Sequence, residues 1–393
     1  YYLMTEKVKF GIIGVGNMGS GHLRFFMNGD VHNGRVTAIA DTNPEKLKLA
    51  KEKCPGDYVC YGSAEDLIGK SDVDAVIIAT PHFLHPPLAI AALKAGKHVL
   101  SEKPAGVYTK QVKEINAVAS ASDKLYTVMF NQRTNPLYIK MRELVQNGTV
   151  GTIKRVNWLI TNWYRSQSYY DSGSWRATWA GEGGGVLFNQ CPHQLDLLQW
   201  VTGMMPKKMR AFCSFGKWHK IEVEDDVSAY FEYENGATGV FITCTADTPG
   251  TNRFEILGTG GKLVCEDNIL KVWKLEQDER EFNATYKGGF GEPKCTYEEI
   301  RPQGENPQHV GILNNFANAI LGLEPLFVDG REGLAGVTLM DSMLLSTWKD
   351  KMIDLPFDDD EYYAELQKRI AGSSRKDVQS VVLNTEGTYG SGK

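Results

Sequence analysis

The sequence has no excess of positive charge, no long apolar run and no clustered metal ligands. Its 393 residues include 43 Lys and Arg and 48 Asp and Glu, so the formal net charge is −5. Without a basic excess to neutralise phosphates, we do not expect nucleic acid as a partner. No run of about 18 apolar residues occurs, so we expect no membrane span. The eight histidines form no HxH or HxxxH pattern, and we therefore expect no metal site.

Paired cysteine spacing is also missing. An odd number of cysteines without a CxxC pattern is typical of reduced thiols in the cytosol. The segment Tyr1–Lys7 lacks the apolar core of a signal peptide, so we expect a cytoplasmic protein. The composition, 42% hydrophobic and 23% charged, is that of a globular chain long enough for two domains. The seven cysteines are Cys54, Cys60, Cys191, Cys213, Cys244, Cys265 and Cys295.

Short apolar runs alternate with helix-like segments through the first 130 residues. Asn43-Pro44 is a typical helix start, and Gly96 is a typical stop for a helix over 84–95. This alternation predicts a parallel sheet with helices on both faces. The buried strands are expected at 8–13, 35–41, 75–79, 98–100 and 126–129.

The pattern changes after about residue 150, where β-branched and aromatic residues become frequent. Asn235-Gly236 between two apolar runs predicts a hairpin, and the region as a whole predicts a mostly antiparallel sheet. Strands are expected at 152–164, 208–218, 226–234, 237–247, 252–257 and 262–275, and helices at 183–202, 308–322 and 331–348. We therefore predict a first domain over 5–130 and a second over 131–371 with helices returning to the first, followed by a loosely held tail at 372–393.

A glycine-rich loop follows the first strand. Gly14-Val15-Gly16-Asn17-Met18-Gly19 is a GxGxxG, in which the glycines allow a tight turn, close approach to a pyrophosphate and close helix–strand packing. By itself the motif could be an ordinary glycine-rich turn. Here it follows a strand, opens a helix and lies about 20 residues before Asp41, which together predict dinucleotide binding.

Asp41 ends the second predicted strand, where an acid can bind the adenosine ribose hydroxyls. Its charge would repel a 2′-phosphate, and Thr42-Asn43-Pro44 supplies no cation to accept one. NAD(H) is therefore predicted over NADP(H). The alternative is that Asp41 merely caps the helix beginning at Pro44.

Two further segments carry candidate chemistry. Lys103 follows a buried strand and can exchange a proton beside a nicotinamide, while Glu102 could hold the nicotinamide ribose. The alternative is an ordinary surface Glu-Lys pair. In the second segment, Asn189, His193 and Asp196 share one face if the region is a continuous helix. Pro192 could instead kink that helix or start a new one.

The order of four motifs along the chain resembles that of one family. The motifs are the GVGNMG loop, Ala79-Thr80-Pro81, the GKHVLSEKP segment and the GGG run leading to His193. That family is the glucose–fructose oxidoreductase / inositol dehydrogenase (Gfo/Idh/MocA) family, and the resemblance spans roughly residues 5–350. It implies an α/β fold with an N-terminal Rossmann domain. The C-terminal α/β domain would carry a large open, mostly antiparallel sheet, with a substrate cleft on one face and commonly an oligomer interface on the other.

The resemblance also implies an activity, a hydride passed between a secondary alcohol carbon of a sugar and NAD(H). Lys103 would be the catalytic lysine, and His193 would contact the reacting hydroxyl. Many relatives carry aspartate where this chain has Asn189, and an amide can bond a sugar hydroxyl but cannot accept its proton. The base is therefore Lys103 or His193, and we favour Lys103.

Further site residues follow from the same resemblance and from residue type. Trp163, Tyr164 and Arg165 offer aromatic planes beside a cation for a sugar, although they could equally be core or interface residues. His309 is a further cleft candidate. The residues predicted to bind the cofactor are Gly14, Gly16, Asn17, Met18, Gly19, Asp41, Thr80, His82, His85, Glu102, Lys103, Asn131, Trp175 and Arg176.

The substrate class can be narrowed only by resemblance. Tyr169-Tyr170-Asp171 and the NQCPHQLD stretch resemble a branch that oxidises glucosides at C3 to 3-keto sugars. An inositol or 1,5-anhydro-sugar dehydrogenase remains the alternative enzyme, and a non-catalytic dinucleotide-binding sensor the alternative of another class. We expect a homo-oligomer, whether dimer, tetramer or hexamer, assembled through the C-terminal sheet.

Overall fold

A computed structural model describes residues 6–374 and 376, and the chain forms two compact units. The first unit contains the described residues up to Asn131 together with Gly181–Gly183 and Pro307–Val337. The second contains Gln132–Ala180, Gly184–Asn306 and the described residues from Thr338 onward. Most of the tail predicted at 372–393 lies outside the described residues.

The first unit alternates strands and helices. Its elements are β1 (Val8–Ile13), α1 (Asn17–Met27), β2 (Gly34–Ala40), α2 (Pro44–Lys53), β3 (Val59–Tyr61), α3 (Ala64–Lys70), β4 (Ala75–Ile78), α4 (His85–Lys94), β5 (His98–Ser101), α5 (Thr109–Ser120) and β6 (Tyr126–Val128). The strands form one parallel sheet in the order β3-β2-β1-β4-β5-β6. The predicted parallel sheet is confirmed, and its order reverses direction between β1 and β4, where such sheets bind ligands.

Local sequence explains these elements. All four residues of β4 are fully buried, because a central parallel strand is covered on both faces. At the start of α2, the Asn43 side chain accepts a hydrogen bond from the Glu45 N–H, and Pro44 takes the first helical position. The sequence pattern missed β3, a three-residue edge strand whose residues are mostly exposed.

The second unit is built on a larger sheet. Its elements begin with α6 (Pro136–Gln146), β7 (Ile153–Ile160), α7 (Gln167–Tyr170), α8 (Val186–Asn189), α9 (Pro192–Thr202), β8 (Lys208–Phe215), β9 (Glu224–Glu232), β10 (Thr238–Cys244), β11 (Asn252–Gly258), β12 (Gly261–Glu266), β13 (Ile269–Leu275), α10 (Glu279–Thr285) and β14 (Cys295–Ile300). After α11 (Gln308–Ile320) in the first unit, the chain continues through α12 (Gly333–Lys349), β15 (Ile353–Asp354) and α13 (Asp359–Ala371).

The nine strands of this sheet follow the order β14-β13-β12-β11-β7-β10-β9-β8-β15. Only the β7–β10 pairing is parallel among these described strands, so the prediction of a mostly antiparallel sheet is confirmed. Gly236, with φ +85°, lies in the predicted hairpin turn between β9 and β10. The single strand predicted at 262–275 is instead two, because Asp267 and Asn268 adopt positive φ and form a second tight turn.

Side chains on one face of the large sheet form the core of the second unit. The Trp158 ring stacks on Phe254 with centroids 4.0 Å apart, and Tyr138 of α6 packs against Trp158 at 5.8 Å. All three side chains are buried. Within residues 6–374, no helix combines the length and the apolar character needed to cross a membrane.

Candidate active site

The glycine loop between β1 and α1 has the shape that a dinucleotide requires. Gly14 has φ +88°, and a Cβ there would lie 2.6 Å from the Ala79 carbonyl oxygen. A Cβ on Gly19 would lie 1.8 Å from the Gly14 carbonyl oxygen, so this position brings helix and loop together. A Cβ on Gly16 would meet no protein atom within 4 Å. Two glycines therefore serve packing, and the third leaves room for a ligand.

The start of α1 fits the phosphates of that ligand. Its N-cap is Gly16, which offers no side chain to bond the N–H groups of the first turn. Uncapped N–H groups and the positive end of the helix dipole attract anions. Gly16, Asn17, Met18 and Gly19 could therefore hold the pyrophosphate of a dinucleotide through this helix end.

Asp41 lies immediately after β2 and contacts the same loop. Its Oδ2 accepts a hydrogen bond from the Val15 N–H at 3.0 Å, and its Oδ1 accepts one from the Asn43 N–H at 2.9 Å. The N-cap of α2 is Asn43 rather than Asp41, so the helix-cap alternative for Asp41 is wrong. The carboxylate holds the glycine loop and remains available to ribose hydroxyls through its other lone pairs.

Glu102 and Lys103 follow β5 directly. The Glu102 carboxylate is 5% exposed, and its Oε1 lies 2.7 Å from His22 Nε2 on α1. Its Oε2 accepts a hydrogen bond from the Lys103 backbone N–H at 3.2 Å. Burial raises the pKa of Glu102, but the hydrogen bond from His22 and the charges of His22, His309 and Lys103 outweigh it and lower the pKa to about 2. Glu102 is thus part of a buried charged network with half-buried Lys103 beside it, so the alternative of an ordinary surface Glu-Lys pair is wrong.

His309 belongs to the first unit, as the second residue of α11. Its ring stacks on Phe25 at 6.3 Å and meets His22 edge-on at 5.9 Å, both on α1. Burial lowers the pKa of His309 to about 4, against the opposing charge of Glu102. The structure therefore places this predicted sugar contact beside the Glu102 network.

The remaining cofactor candidates of the first unit differ in what they can offer. The buried Thr80 Oγ1 has no hydrogen-bond partner within the described part of the chain, so it can bond a cofactor. Asn131 donates from Nδ2 to Gln308 Oε1, and His82 Nδ1 lies 3.2 Å from the Glu182 carbonyl oxygen. His85 is 1% exposed and both of its ring nitrogens face backbone carbonyls, which leaves it no polar group to offer a cofactor directly.

In the second unit, the predicted helix 183–202 is interrupted. Asn189 ends the short helix α8, and Pro192 starts α9 with His193 in its first turn. The alternative that Pro192 starts a new helix is therefore confirmed, and a continuous helix over 183–202 does not form, since proline at the first helical position starts a helix. Asn189 and His193 thus come from two consecutive helices.

The glycine run before α8 has a packing reason. A Cβ on Gly185 would lie 2.0 Å from the Glu224 carbonyl oxygen. The fully buried Glu224 accepts hydrogen bonds from the N–H groups of Gly185 and Leu187 at 2.8 and 3.1 Å. Glu224 at the start of β9 therefore fixes the entry to α8, and no local sequence signal marked it.

Asp196 forms a buried ion pair with Arg133. Its two carboxylate oxygens accept hydrogen bonds from Arg133 Nε at 2.7 Å and Nη2 at 2.6 Å. Both side chains are 1% exposed. His193 and Asp196 lie three residues apart on α9, so the Arg133–Asp196 pair fixes the helix that carries His193.

Several predicted aromatic and cationic residues meet in one place, which we call the Tyr169 cluster: Trp163, Arg165, Tyr169, Trp175, Arg176 and Gln190. The Arg165 and Arg176 guanidiniums lie 5.1 and 4.4 Å from the Tyr169 ring centroid. Arg176 Nη1 donates to the Tyr169 hydroxyl at 2.7 Å, and Gln190 Nε2 donates to it at 3.3 Å. Tyr164, at 50% exposure, lies beside this cluster in sequence and faces solvent. The sequence indicated the cations and tryptophans but not the central role of Tyr169.

Two family models match this chain. The model described as an oxidoreductase family with an NAD-binding Rossmann fold matches residues 8–130. The model described as the Gfo/Idh/MocA C-terminal domain matches residues 138–264. Together they cover more than half of the 393 residues.

Individual relatives extend over nearly the whole chain. Levoglucosan dehydrogenase of Pseudarthrobacter phenanthrenivorans is 26% identical, over 89% of this chain and 99% of its own length. Myo-inositol 2-dehydrogenase of Thermotoga maritima is 24% identical, over 84% of this chain and 94% of its own. The crystal structure of the WlbA dehydrogenase from Bordetella pertussis, in complex with NADH and UDP-GlcNAcA, superposes with a TM-score of 0.75 at 26% identity, covering 90% of this chain and 99% of that one.

The glycine loop, the open position at Gly16 and Asp41 at the end of β2 agree with these matches. The first unit is an NAD-binding Rossmann fold, and the second carries the large, mostly antiparallel sheet of the C-terminal domain. The chain belongs to the Gfo/Idh/MocA family of NAD-dependent oxidoreductases.

Proposed function

We propose that this protein oxidises a secondary hydroxyl of a sugar or polyol with NAD, or reduces the corresponding ketone with NADH. The observation that carries the proposal is the position of Lys103, directly after β5 at the ligand-binding edge of the NAD-binding sheet, with its backbone N–H bonded to the buried Glu102. Relatives named as levoglucosan and inositol dehydrogenases support the class of substrate.

Lys103 is the proposed proton acceptor. NAD, when bound, supplies the carbon that receives the hydride. The Lys103 amine takes the hydroxyl proton as the hydride leaves, and returns it when the reaction runs in reverse. A lysine suits this task because its amine is compact and its pKa responds readily to its surroundings.

His193 and Asn189 are proposed to hold the reacting hydroxyl. An imidazole can donate or accept a hydrogen bond, and an amide offers both a donor and an acceptor. Because Asn189 cannot take a proton, the base must be Lys103 or His193, and we assign it to Lys103. The Arg133–Asp196 pair fixes the helix from which His193 projects.

The Tyr169 cluster is proposed to meet the body of the sugar. Trp163, Tyr164 and Arg165 would give an apolar plane and hydrogen-bond donors, the combination that a pyranose requires. Trp175 and Arg176 are proposed to lie toward the cofactor, as the family resemblance implies. A glucoside oxidised at C3 to a 3-keto sugar is our specific proposal, supported by the resemblance of this region to that branch.

The test is to identify the product. Purified protein is incubated with NAD and one sugar in each of three reactions, which contain methyl β-D-glucopyranoside, levoglucosan or myo-inositol. The products of each reaction are identified by NMR. We expect the glucoside to yield its 3-keto derivative with stoichiometric NADH. If myo-inositol or levoglucosan is oxidised and the glucoside is not, the proposed substrate would be an inositol or an anhydro-sugar instead of a glucoside. A fourth reaction tests reduction of 1,5-anhydrofructose with NADH. If the protein binds NAD but converts none of these four compounds, the non-catalytic dinucleotide-binding sensor would be favoured.

We also propose that the outer face of the large sheet joins copies of this chain. Phe212, Ser228, Ile242 and Leu159 are register partners on adjacent strands and form one row across that face. Phe212 is 62% exposed, which is unusual for a phenylalanine in a regular strand. Light scattering after chromatography is expected to give an oligomer for the native chain and a monomer for Phe212→Lys/Ile242→Lys. A monomeric native chain would contradict this.

A further inference from the structure

Two buried histidines lie on either side of the segment that carries Lys103. His22 belongs to α1 and is 0% exposed, while His85 begins α4 and is 1% exposed. Neither side chain has a part in the proposed chemistry. A buried imidazole is costly unless its polar atoms are bonded, so the partners of these rings indicate their purpose.

His85 connects the end of β4 to the residue after Lys103. Its Nδ1 lies 2.8 Å from the Pro104 carbonyl oxygen, and its Nε2 lies 2.8 Å from the Thr80 carbonyl oxygen. The doubly protonated ring donates to both carbonyls, whereas a neutral ring donates to one. Burial lowers the pKa of His85, the two carbonyls and Glu102 act in the opposite direction, and Lys103 adds to the lowering.

His22 acts on the other side of the lysine. Its Nε2 lies 2.7 Å from Glu102 Oε1, and the other carboxylate oxygen accepts the Lys103 backbone N–H. The Glu102 N–H in turn donates to the Ile78 carbonyl oxygen at 2.8 Å. The helix that follows the glycine loop is therefore joined to Lys103 through one carboxylate.

We propose that His22 and His85 are positioning residues for Lys103, which hold the backbone before and after it and so set the direction of its amine. The inference rests on the proposed catalytic role of Lys103. A lysine side chain has four rotatable bonds, so the position of its amine depends strongly on the backbone that carries it. Neither histidine touches the reacting atoms.

The two ring nitrogens of His85 can be tested separately. His85→Asn places an amide nitrogen near the position of Nδ1 and keeps the contact with Pro104. His85→Gln places one near Nε2 and keeps the contact with Thr80. Because only the Pro104 contact reaches the lysine segment, we expect kcat to fall about 10- to 100-fold in His85→Gln and clearly less in His85→Asn.

Further readouts separate positioning from loss of folded protein. With the fastest sugar of the product test deuterated at its oxidised carbon, the isotope effect on kcat is expected to rise in His85→Gln and His22→Gln. The Kd for NAD is expected to stay unchanged. Hydrogen exchange measured by mass spectrometry on the protein without substrate is expected to accelerate at the amides of Glu102, Lys103 and Ala105.

His98→Gln is the matched control, because His98 lies at the opposite end of β5 and accepts the Leu125 N–H. It is expected to leave kcat, the isotope effect and exchange at 102–105 as in the native protein. Equal kcat in His85→Asn and His85→Gln, or a loss of activity with no change in isotope effect or exchange, would overturn the proposal. Full turnover by Lys103→Met would contradict the proposed function itself. If Lys103→Met is inactive but the His22 and His85 variants are fully active, only the positioning role is contradicted.

Discussion

Arg133 and Asp196 form a buried ion pair in which two parallel N–H···O hydrogen bonds of 2.7 and 2.6 Å join a guanidinium to a carboxylate. Breaking such a pair leaves one charge buried without its partner, which costs about 3–5 kcal/mol. Arg133→Met is therefore expected to lower the free energy of unfolding of the second unit by that order, as measured in urea. The double variant Arg133→Met/Asp196→Leu is expected to recover much of the loss. Additive losses from the two single variants would mean that the pair is not coupled.

The glycine loop gives a matched pair of variants. Gly16→Ala is expected to keep the thermal midpoint and to weaken NAD binding, because the added methyl group enters space that no protein atom occupies. Gly19→Ala is expected to lower the thermal midpoint as well, because its methyl group would collide with the Gly14 carbonyl oxygen. Calorimetric titration with NAD and a melting curve on each variant check both expectations. A Gly16→Ala protein that binds NAD normally would show that the pyrophosphate lies elsewhere.

Asp41 is expected to determine the choice between the two dinucleotides. Asp41→Ala removes both the ribose acceptor and the carboxylate that receives the Val15 N–H. Binding of NAD should weaken, and the preference for NAD over NADP should narrow, because the charge that repels a 2′-phosphate is gone. Asp41→Asn keeps a side-chain acceptor for the Val15 N–H and is the control for loop geometry. An unchanged preference in both variants would assign ribose selection to another group.

Acid is expected to destabilise the first unit in two stages. The His309 pKa is about 4, below its ordinary value of 6.5, so its neutral form favours folding and that contribution falls as pH drops from about 6.5 to 4. The Glu102 pKa is about 2 instead of 4.5, so its contribution is complete above about pH 4.5 and falls toward pH 2. The free energy of unfolding, measured with denaturant at several pH values, checks this. His309→Phe is expected to reduce its fall between about pH 6.5 and 4, and Glu102→Gln its fall below about pH 4.5. If the free energy of unfolding of both variants depends on pH as in the native protein, these two residues are not the cause of the acid destabilisation.

Much of the first unit could be predicted because its signals are local. The glycine loop, the buried strands and the Asn43-Pro44 helix start are each short patterns with one physical explanation. We expect helices to return to this unit from later in the chain, but the sequence does not indicate which segments do so, 181–183 and 307–337, because that depends on contacts between residues far apart in sequence. The tilted packing of Phe316 against Phe10, with ring centroids 6.0 Å apart, is one such contact.

The candidate site was harder to predict than the fold. Lys103 was recognisable from its strand end, but its buried partner His22 lies on α1 and nothing in the motif signals the contact. Helical spacing places Asp196 near His193, but it does not reveal that Arg133 donates to both carboxylate oxygens of Asp196. Spacing along a helix identifies neighbours on that helix alone, so a partner supplied by another element stays invisible.

The central claim is that Lys103 exchanges the proton during hydride transfer. Lys103→Met keeps a similar side-chain length without the amine, and Lys97→Met, just before the start of β5, is its control. Turnover of the sugar found in the product test and the Kd for NAD are measured on both. The proposal predicts that Lys103→Met loses about 10²- to 10⁴-fold in kcat with NAD affinity intact, while Lys97→Met behaves as the native protein. Native turnover in Lys103→Met would contradict it.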